Sequence, residues 1–213
     1  DAYGGSFKFD YDFGGAKLTS VTGYETISKM YSRGDIDGGF GAVYAPPFGP
    51  GFIPFVSESA DGIPNLDQFT EELRLAGKAS DTIDWLFGLF YFDESFTAET
   101  FSYNSLAPGN PQDGYAFQTQ DATSWALFSS IDFRPTDRWT LKGGRRYTAD
   151  EKDFAAERPD GTFQTPTVGP ILASTNADLL TWDLSANYKA SDAVNLYGRA
   201  GTGFRAPSIQ GRI

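Results

Sequence analysis

From Asp67 to Lys78 the side chains alternate: Gln68, Thr70, Glu72, Arg74 and Lys78 share one parity, while Phe69, Leu73 and Leu75 share the other. A period of two belongs to extended chain, because successive side chains leave opposite faces of a sheet. Ile83, Trp85, Phe87, Leu89 and Tyr91 continue an apolar row. So do Trp125, Leu127, Ile131 and Phe133, and later Leu180, Trp182, Leu184, Ala186 and Tyr188. The opposite parity carries Ser124 and Ser130, or Thr181, Asp183, Ser185, Asn187 and Lys189. The pattern predicts eight strands: Tyr3 to Phe13, Ala16 to Met30, Asp67 to Lys78, Thr82 to Glu94, Gln120 to Arg134, Arg138 to Asp150, Asp178 to Lys189 and Ala193 to Arg205. Helix signals are scarce.

Alternation alone leaves two architectures open, since a soluble β-sandwich buries the same apolar row in its core. Strand length and connection length favour a membrane wall. Spanning strands need roughly 9 to 11 residues, and globular strands average about half of what is seen here. The tight connections are Gly14-Gly15, Gly77 to Thr82, Arg134 to Arg138 and Lys189 to Ala193. Between them lie long ones, at about 31–66, 95–119 and 151–177. Strict alternation puts every short turn at one rim and every long loop at the other, as in barrels with periplasmic turns and extracellular loops. The expected fold is therefore all-β, an antiparallel transmembrane β-barrel wall in a single domain over residues 1–213.

Composition narrows the chemistry. The 213 residues include no Cys and no His, and the formal net charge is -11. Without Cys there is no disulfide framework and no thiolate metal site. The acidic balance and the lack of a basic cluster exclude nucleic acid as a partner. Without His there is no Ser-His-Asp triad and no imidazole metal site. Glu71-Glu72 and Asp93-Glu94 are adjacent in strands, so their carboxylates leave opposite faces and cannot flank one bond. The stretch from Asp35 to Gly39 has the start of a calcium loop, but the twelfth position is Pro46, not a bidentate Glu. Gly201-Thr202-Gly203 lacks the third glycine and the helix of a nucleotide-binding turn. No enzyme, cofactor or metal centre is expected.

Four phrases in order carry a family resemblance. They are Gln68-Phe69-Thr70-Glu71-Glu72-Leu73-Arg74-Leu75, Trp85-Leu86-Phe87-Gly88-Leu89-Phe90-Tyr91-Phe92, the run from Leu141 to Lys152 that reads LKGGRRYTADEK, and Gly203-Phe204-Arg205-Ala206-Pro207-Ser208. Together they resemble the barrel of TonB-dependent outer-membrane receptors. The resemblance implies about eight strands of a barrel of about 22 with a plugged lumen. It also implies import of a scarce nutrient, such as siderophore-iron, cobalamin or an oligosaccharide, energised by a TonB-type inner-membrane complex. The implied partners are outer-membrane lipid, a plug domain, the remaining strands and an unidentified small-molecule ligand. Neither a plug-like domain nor a TonB box is found, and Ile213 stands where the family usually has an aromatic terminus, so the chain is expected to be an internal segment of the wall.

Candidate residues fall into two groups. Glu72, Arg74, Arg146, Arg199 and Arg205 are expected to face the lumen, as a charge ladder or a substrate path. Tyr44, Phe48, Phe52 and Phe55, among Pro46, Pro47, Pro50 and Pro54, and Tyr103, Tyr115 and Phe117 are loop candidates for ligand stacking. Packing between loops, or a place in the interfacial aromatic girdle, would use the same residues. Arg145 shares its parity with Trp139, Leu141 and Tyr147. It is expected to snorkel at an interface, unless a bulge flips the register. Two other classes stay open: a complete eight-stranded barrel acting as adhesin or anchor, closed by the strand at Tyr3 on the strand ending near Arg205, and a soluble β-sandwich binding module.

Overall fold

The computed structural model describes residues 1–35, 58–104, 107–161 and 166–211. Eight strands follow one another: β1 Ala2–Asp12, β2 Ala16–Asp35, β3 Glu58–Ser80, β4 Ile83–Tyr103, β5 Gln112–Thr136, β6 Trp139–Asp160, β7 Val168–Lys189 and β8 Asn195–Gly201. They form one antiparallel sheet in the order β1-β2-β3-β4-β5-β6-β7-β8. Among the described residues there is no second sheet to make a sandwich. Nor does β1 pair with β8, the step that an eight-stranded closed barrel requires. Both outer edges therefore carry unpaired backbone groups, which hydrocarbon cannot satisfy.

The expected order and hairpins are all present, but the strands run further than the alternation suggested. β2 continues to Asp35 and β3 begins at Glu58, so both ends of the stretch 31–66 are strand. β4 reaches Tyr103 and β5 starts at Gln112, while β6 reaches Asp160 and β7 starts at Val168. Six consecutive strands thus hold 20 to 25 residues each, about twice what crossing a bilayer needs. The opposite deviation occurs in β8, which stops at Gly201 instead of continuing to Arg205. There the Trp182 N–H donates to Thr202 Oγ1 at 3.0 Å and the Thr202 N–H to the Trp182 carbonyl at 2.9 Å, and the chain leaves the sheet.

Register places the apolar rows side by side. Leu18 pairs with Leu75, Leu75 with Phe87, Leu73 with Leu89 and Leu89 with Leu127, all on one face. This face has no partner among the described residues: Phe87, Leu89, Leu127, Ile131, Leu180 and Leu184 are all exposed. Aromatic pairs bound the band. Near the short turns lie Trp139–Tyr188 at 4.6 Å, Tyr11–Phe13 at 4.8 Å and Trp85–Phe87 at 5.7 Å between centroids. At the other margin lie Trp125–Tyr147 at 5.4 Å and Phe69–Tyr91 at 6.3 Å. Just beyond them Tyr24, Tyr91 and Tyr147 donate to Asp67, Asp93 and Asp178 at 2.6, 3.3 and 3.1 Å, which marks where apolar surface gives way to polar. Two girdles around an apolar band are what a bilayer selects, because amphipathic rings settle at its two interfaces.

The sheet is also staggered. Following hydrogen-bond partners from Ala16, which begins β2, leads through Gly77, Trp85, Ile131, Gly143 and Leu184 to Ala200, the sixth residue of β8. A slip of nearly one residue per strand, with about 3.3 Å along and 4.8 Å between strands, tilts the strands by roughly 30 to 35°.

Candidate functional site on the polar face

The polar face is where charged side chains gather. On β3, Glu72 and Arg74 are ion-paired, two residues apart on the polar parity as expected. Glu71 leaves by the other face, where Ser20 Oγ donates to its carboxylate at 2.7 Å and Thr22 Oγ1 does so as well. On β8, Arg199 pairs with Asp183 of β7. Lys142 of β6 pairs with Asp132 of β5, and Arg134 with Asp84 at 2.7 Å. These pairs are partly exposed and each is worth little on its own. Their effect is to cancel charge along the wall.

Two features escaped the sequence reading. The first is a covered region on β5 and β6, where Ala126 and Ala156 are buried, as are Ala122, Thr148 and Phe154. Small residues there leave room for large neighbours, and the segment 202–211 lies against the same face. The Lys152 ammonium donates to the Pro207 carbonyl at 2.8 Å and sits 3.1 Å from Asp150, the least exposed ion pair described, at 17% and 10%. A Cβ on Gly211 would fall 2.1 Å from Cζ of Phe154, so backbone rests directly on that ring. Arg205 belongs to this inward segment, four residues past the end of β8, and is exposed. The signal for this turn was Thr202, whose hydroxyl takes over a ladder hydrogen bond.

The second is the setting of Arg146. Its guanidinium lies over the rings of Phe90 and Phe128, 5.3 and 5.5 Å from their centroids, and its Nε donates to Thr148 Oγ1 at 3.1 Å. Phe128 in turn occupies space that exists only because β4 has a glycine opposite: a Cβ on Gly88 would lie 2.1 to 2.7 Å from that ring.

The loop candidates fare differently. Tyr44, Phe48, Phe52 and Phe55 lie outside the described residues. Tyr103 is the last residue of β4, and Tyr115 and Phe117 are within β5, so none of the three is in a loop. They sit on the same face as the apolar rows, beyond the second girdle, and pack on one another. Phe101 contacts Tyr31 at 6.3 Å and Tyr115 at 5.2 Å, and Tyr115 contacts Phe117 at 5.9 Å. Tyr31 and Tyr115 donate to the two oxygens of Glu99 at 2.7 and 2.6 Å, and Arg33, paired with Glu58, stacks on Tyr103 at 3.9 Å. Burial first, then the bond to Glu99, pushes the Tyr115 phenol up to about 12. Turned away from the polar face, these rings brace the wall where it extends past the girdle.

Arg145 projects from the apolar face beside Ser129 and Trp182 and is exposed. The β5–β6 register runs without interruption from Phe117 to Phe133, so no bulge reverses it. Among the described residues, no group of His, Cys, Asp and Glu could hold a metal ion.

The whole of residues 1–213 matches the model of the family described as TonB dependent receptor-like, beta-barrel. The chain belongs to this family. Family members are transport receptors of the bacterial outer membrane. Solved TonB-dependent receptors share the fold. The ferric yersiniabactin uptake receptor FyuA of Yersinia pestis superposes with a TM-score of 0.66 at 16% identity over 93% of this chain and 27% of its own. The ferric-catecholate import receptor Fiu of E. coli K12, in its closed form, gives 0.61 at 12% identity over 92% and 32%. The siderophore receptor PiuA of Acinetobacter baumannii gives 0.56 at 15% identity over 90% and 30%. This chain therefore spans less than a third of the length of these receptors.

Proposed function

We propose that this wall serves a receptor that takes up a scarce nutrient, an iron chelate ahead of cobalamin or an oligosaccharide, using energy from a TonB-type inner-membrane complex. The family match over all 213 residues carries this reading. The neighbours named above support the iron chelate, because each is described as a receptor or importer for a siderophore or ferric chelate. A plug domain and further strands complete the receptor in this reading. Recognition falls to Tyr44, Phe48, Phe52 and Phe55, since rings held among prolines lose little entropy on binding a flat ligand. The lumen wall, with most of its cations neutralised by carboxylates, offers a passing ligand few strong binding points.

Uptake assays decide the matter. Cells carrying the receptor should accumulate iron-55 from a chelate panel, and should stop when the energising complex is deleted. Accumulation of labelled cobalamin or oligosaccharide instead would replace the iron reading. Accumulation indifferent to the complex would remove the energisation.

A further inference from the structure

We propose that Arg146 is an anion-binding residue of the lumen wall, built to receive a carboxylate or phosphate oxygen pair from a group that enters the lumen. The inference rests on the transport reading for what enters, and on geometry for the site itself.

Between the two girdles, the other inner-face cations of β3, β6 and β8 are neutralised within the sheet: Arg74 by Glu72, Lys142 by Asp132 and Arg199 by Asp183. Arg146 has no carboxylate within ion-pair distance among the described residues. The carboxylates closest to it by register are already engaged: Glu72 is the partner of Phe90 across β3–β4, and Asp183 that of Gly144 across β6–β7. Lys78, at the turn end of β3, and Arg205, outside the sheet, are two further cations without a described acid partner. Both are exposed to water, and neither has rings around it.

Rings occupy the positions around Arg146 where acids sit elsewhere. Phe90 and Phe128 lie beside the guanidinium, and Thr148 Oγ1 accepts the hydrogen bond from Nε. A guanidinium has five N–H donors in one plane. With rings beside the guanidinium and Nε used, the remaining edge keeps the paired donors that grip a carboxylate or phosphate in bidentate fashion. Rings attract a cation but satisfy none of its N–H groups, so the site is held in shape while its hydrogen bonds stay open. Gly88 is part of the construction, because only a residue without Cβ lets Phe128 reach this position.

The oxygen pair has two sources, a small anion in transit or a side-chain carboxylate of the domain that fills the lumen, and one experiment separates them. In the receptor that carries this wall, purified in detergent, Arg146→Met and Arg146→Lys are compared with the parent. Binding of citrate and of inorganic phosphate at low ionic strength is measured by calorimetry, and melting temperature is followed from pH 7 to about pH 3.5, below the ordinary carboxylate range. For a small anion, Arg146→Met weakens citrate or phosphate binding by roughly tenfold or more, with Arg146→Lys in between. For an internal carboxylate, Arg146→Met melts lower at pH 7, and the deficit shrinks in salt and closes as the pH falls. Unchanged binding with an unchanged melting temperature overturns the proposal. So does a melting deficit indifferent to salt and pH, which would be lost ring packing alone. Uptake measured on the same variants keeps the two readings apart. Normal transport with an indifferent Arg146 removes this site only, whereas an anion-sensitive Arg146 in a protein that transports nothing removes the receptor reading only.

Discussion

Arg145 and Arg146 are neighbours in sequence and opposites in environment, and that contrast yields the sharpest residue-level expectations. Arg145 projects from the apolar face, which meets lipid in the proposed receptor, two residues from Tyr147 of the girdle, roughly 7 Å along the strand at about 3.3 Å per residue. An Arg on the lipid face costs roughly 2 to 4 kcal/mol at mid-depth and close to nothing at the interface. At this depth, with a side chain long enough to reach the headgroups, Arg145→Leu should stabilise the receptor by about 1 kcal/mol. Urea unfolding in lipid bilayers measures this, and a loss of stability would mean that the guanidinium holds a partner at the interface. Gly88→Ala should act in the other direction, by about 1 to 3 kcal/mol, because the added methyl collides with the Phe128 ring. The same substitution shifts the ring beneath Arg146. The parity of both arginines was legible in the sequence. The cage of rings was not, because Phe90 and Phe128 read simply as apolar residues until register brought them beside Arg146.

At the scale of the strand, the sequence revealed the membrane-crossing part and missed the rest for a definable reason. Between the girdles of the proposed barrel, lipid on one side and lumen on the other enforce alternation, and those runs were visible. Beyond the second girdle, in the proposed barrel, no bilayer imposes alternation, so Ser95, Thr97, Glu99 and Thr100 carry no period although they are strand. Irregularities add to this: the register slips between Gly62 and Asn65 of β3, and Lys29 of β2 has a φ of 52°. Beside the backbone ladder, the Tyr31–Glu99–Tyr115 arrangement ties β2, β4 and β5 together here, and it has a pH signature. The neutral phenol of Tyr115 is the favoured form, since its folded pKa is raised to about 12 from 10.0. Its contribution to stability is therefore complete below about pH 10 and is lost as the pH rises through about 12. Ultraviolet titration should show Glu99→Gln lowering the titration range of two tyrosines, Tyr31 and Tyr115, and leaving the shift due to burial. An unchanged titration would mean that the carboxylate has no part in the shift. At the other end, Gly211→Val should lift the segment 202–211 from Phe154. A cysteine placed at Ser208 would then react faster with a maleimide, whereas an unchanged rate would mean that the segment is held elsewhere.

At the scale of the whole wall, strand length and slope act together. A strand of 22 residues leaning by roughly 30 to 35° rises about 60 Å, whereas the apolar band of such a barrel is about 25 Å tall. More than half of each long hairpin therefore lies beyond the apolar band as hydrogen-bonded sheet. Proteinase K applied to intact cells should cut first in the connections, including the turn at Ala107 to Asn110, and not within β3 to β7. Early cuts inside those strands would show that the extensions are not paired in the cell. The slope has a second consequence, for bore. A strand crossed obliquely takes up about 5.7 Å of circumference instead of about 4.8 Å, so a barrel of about 22 such strands is about 40 Å across instead of about 34 Å. The slip of nearly one residue between neighbouring strands thus sets the room available inside the barrel.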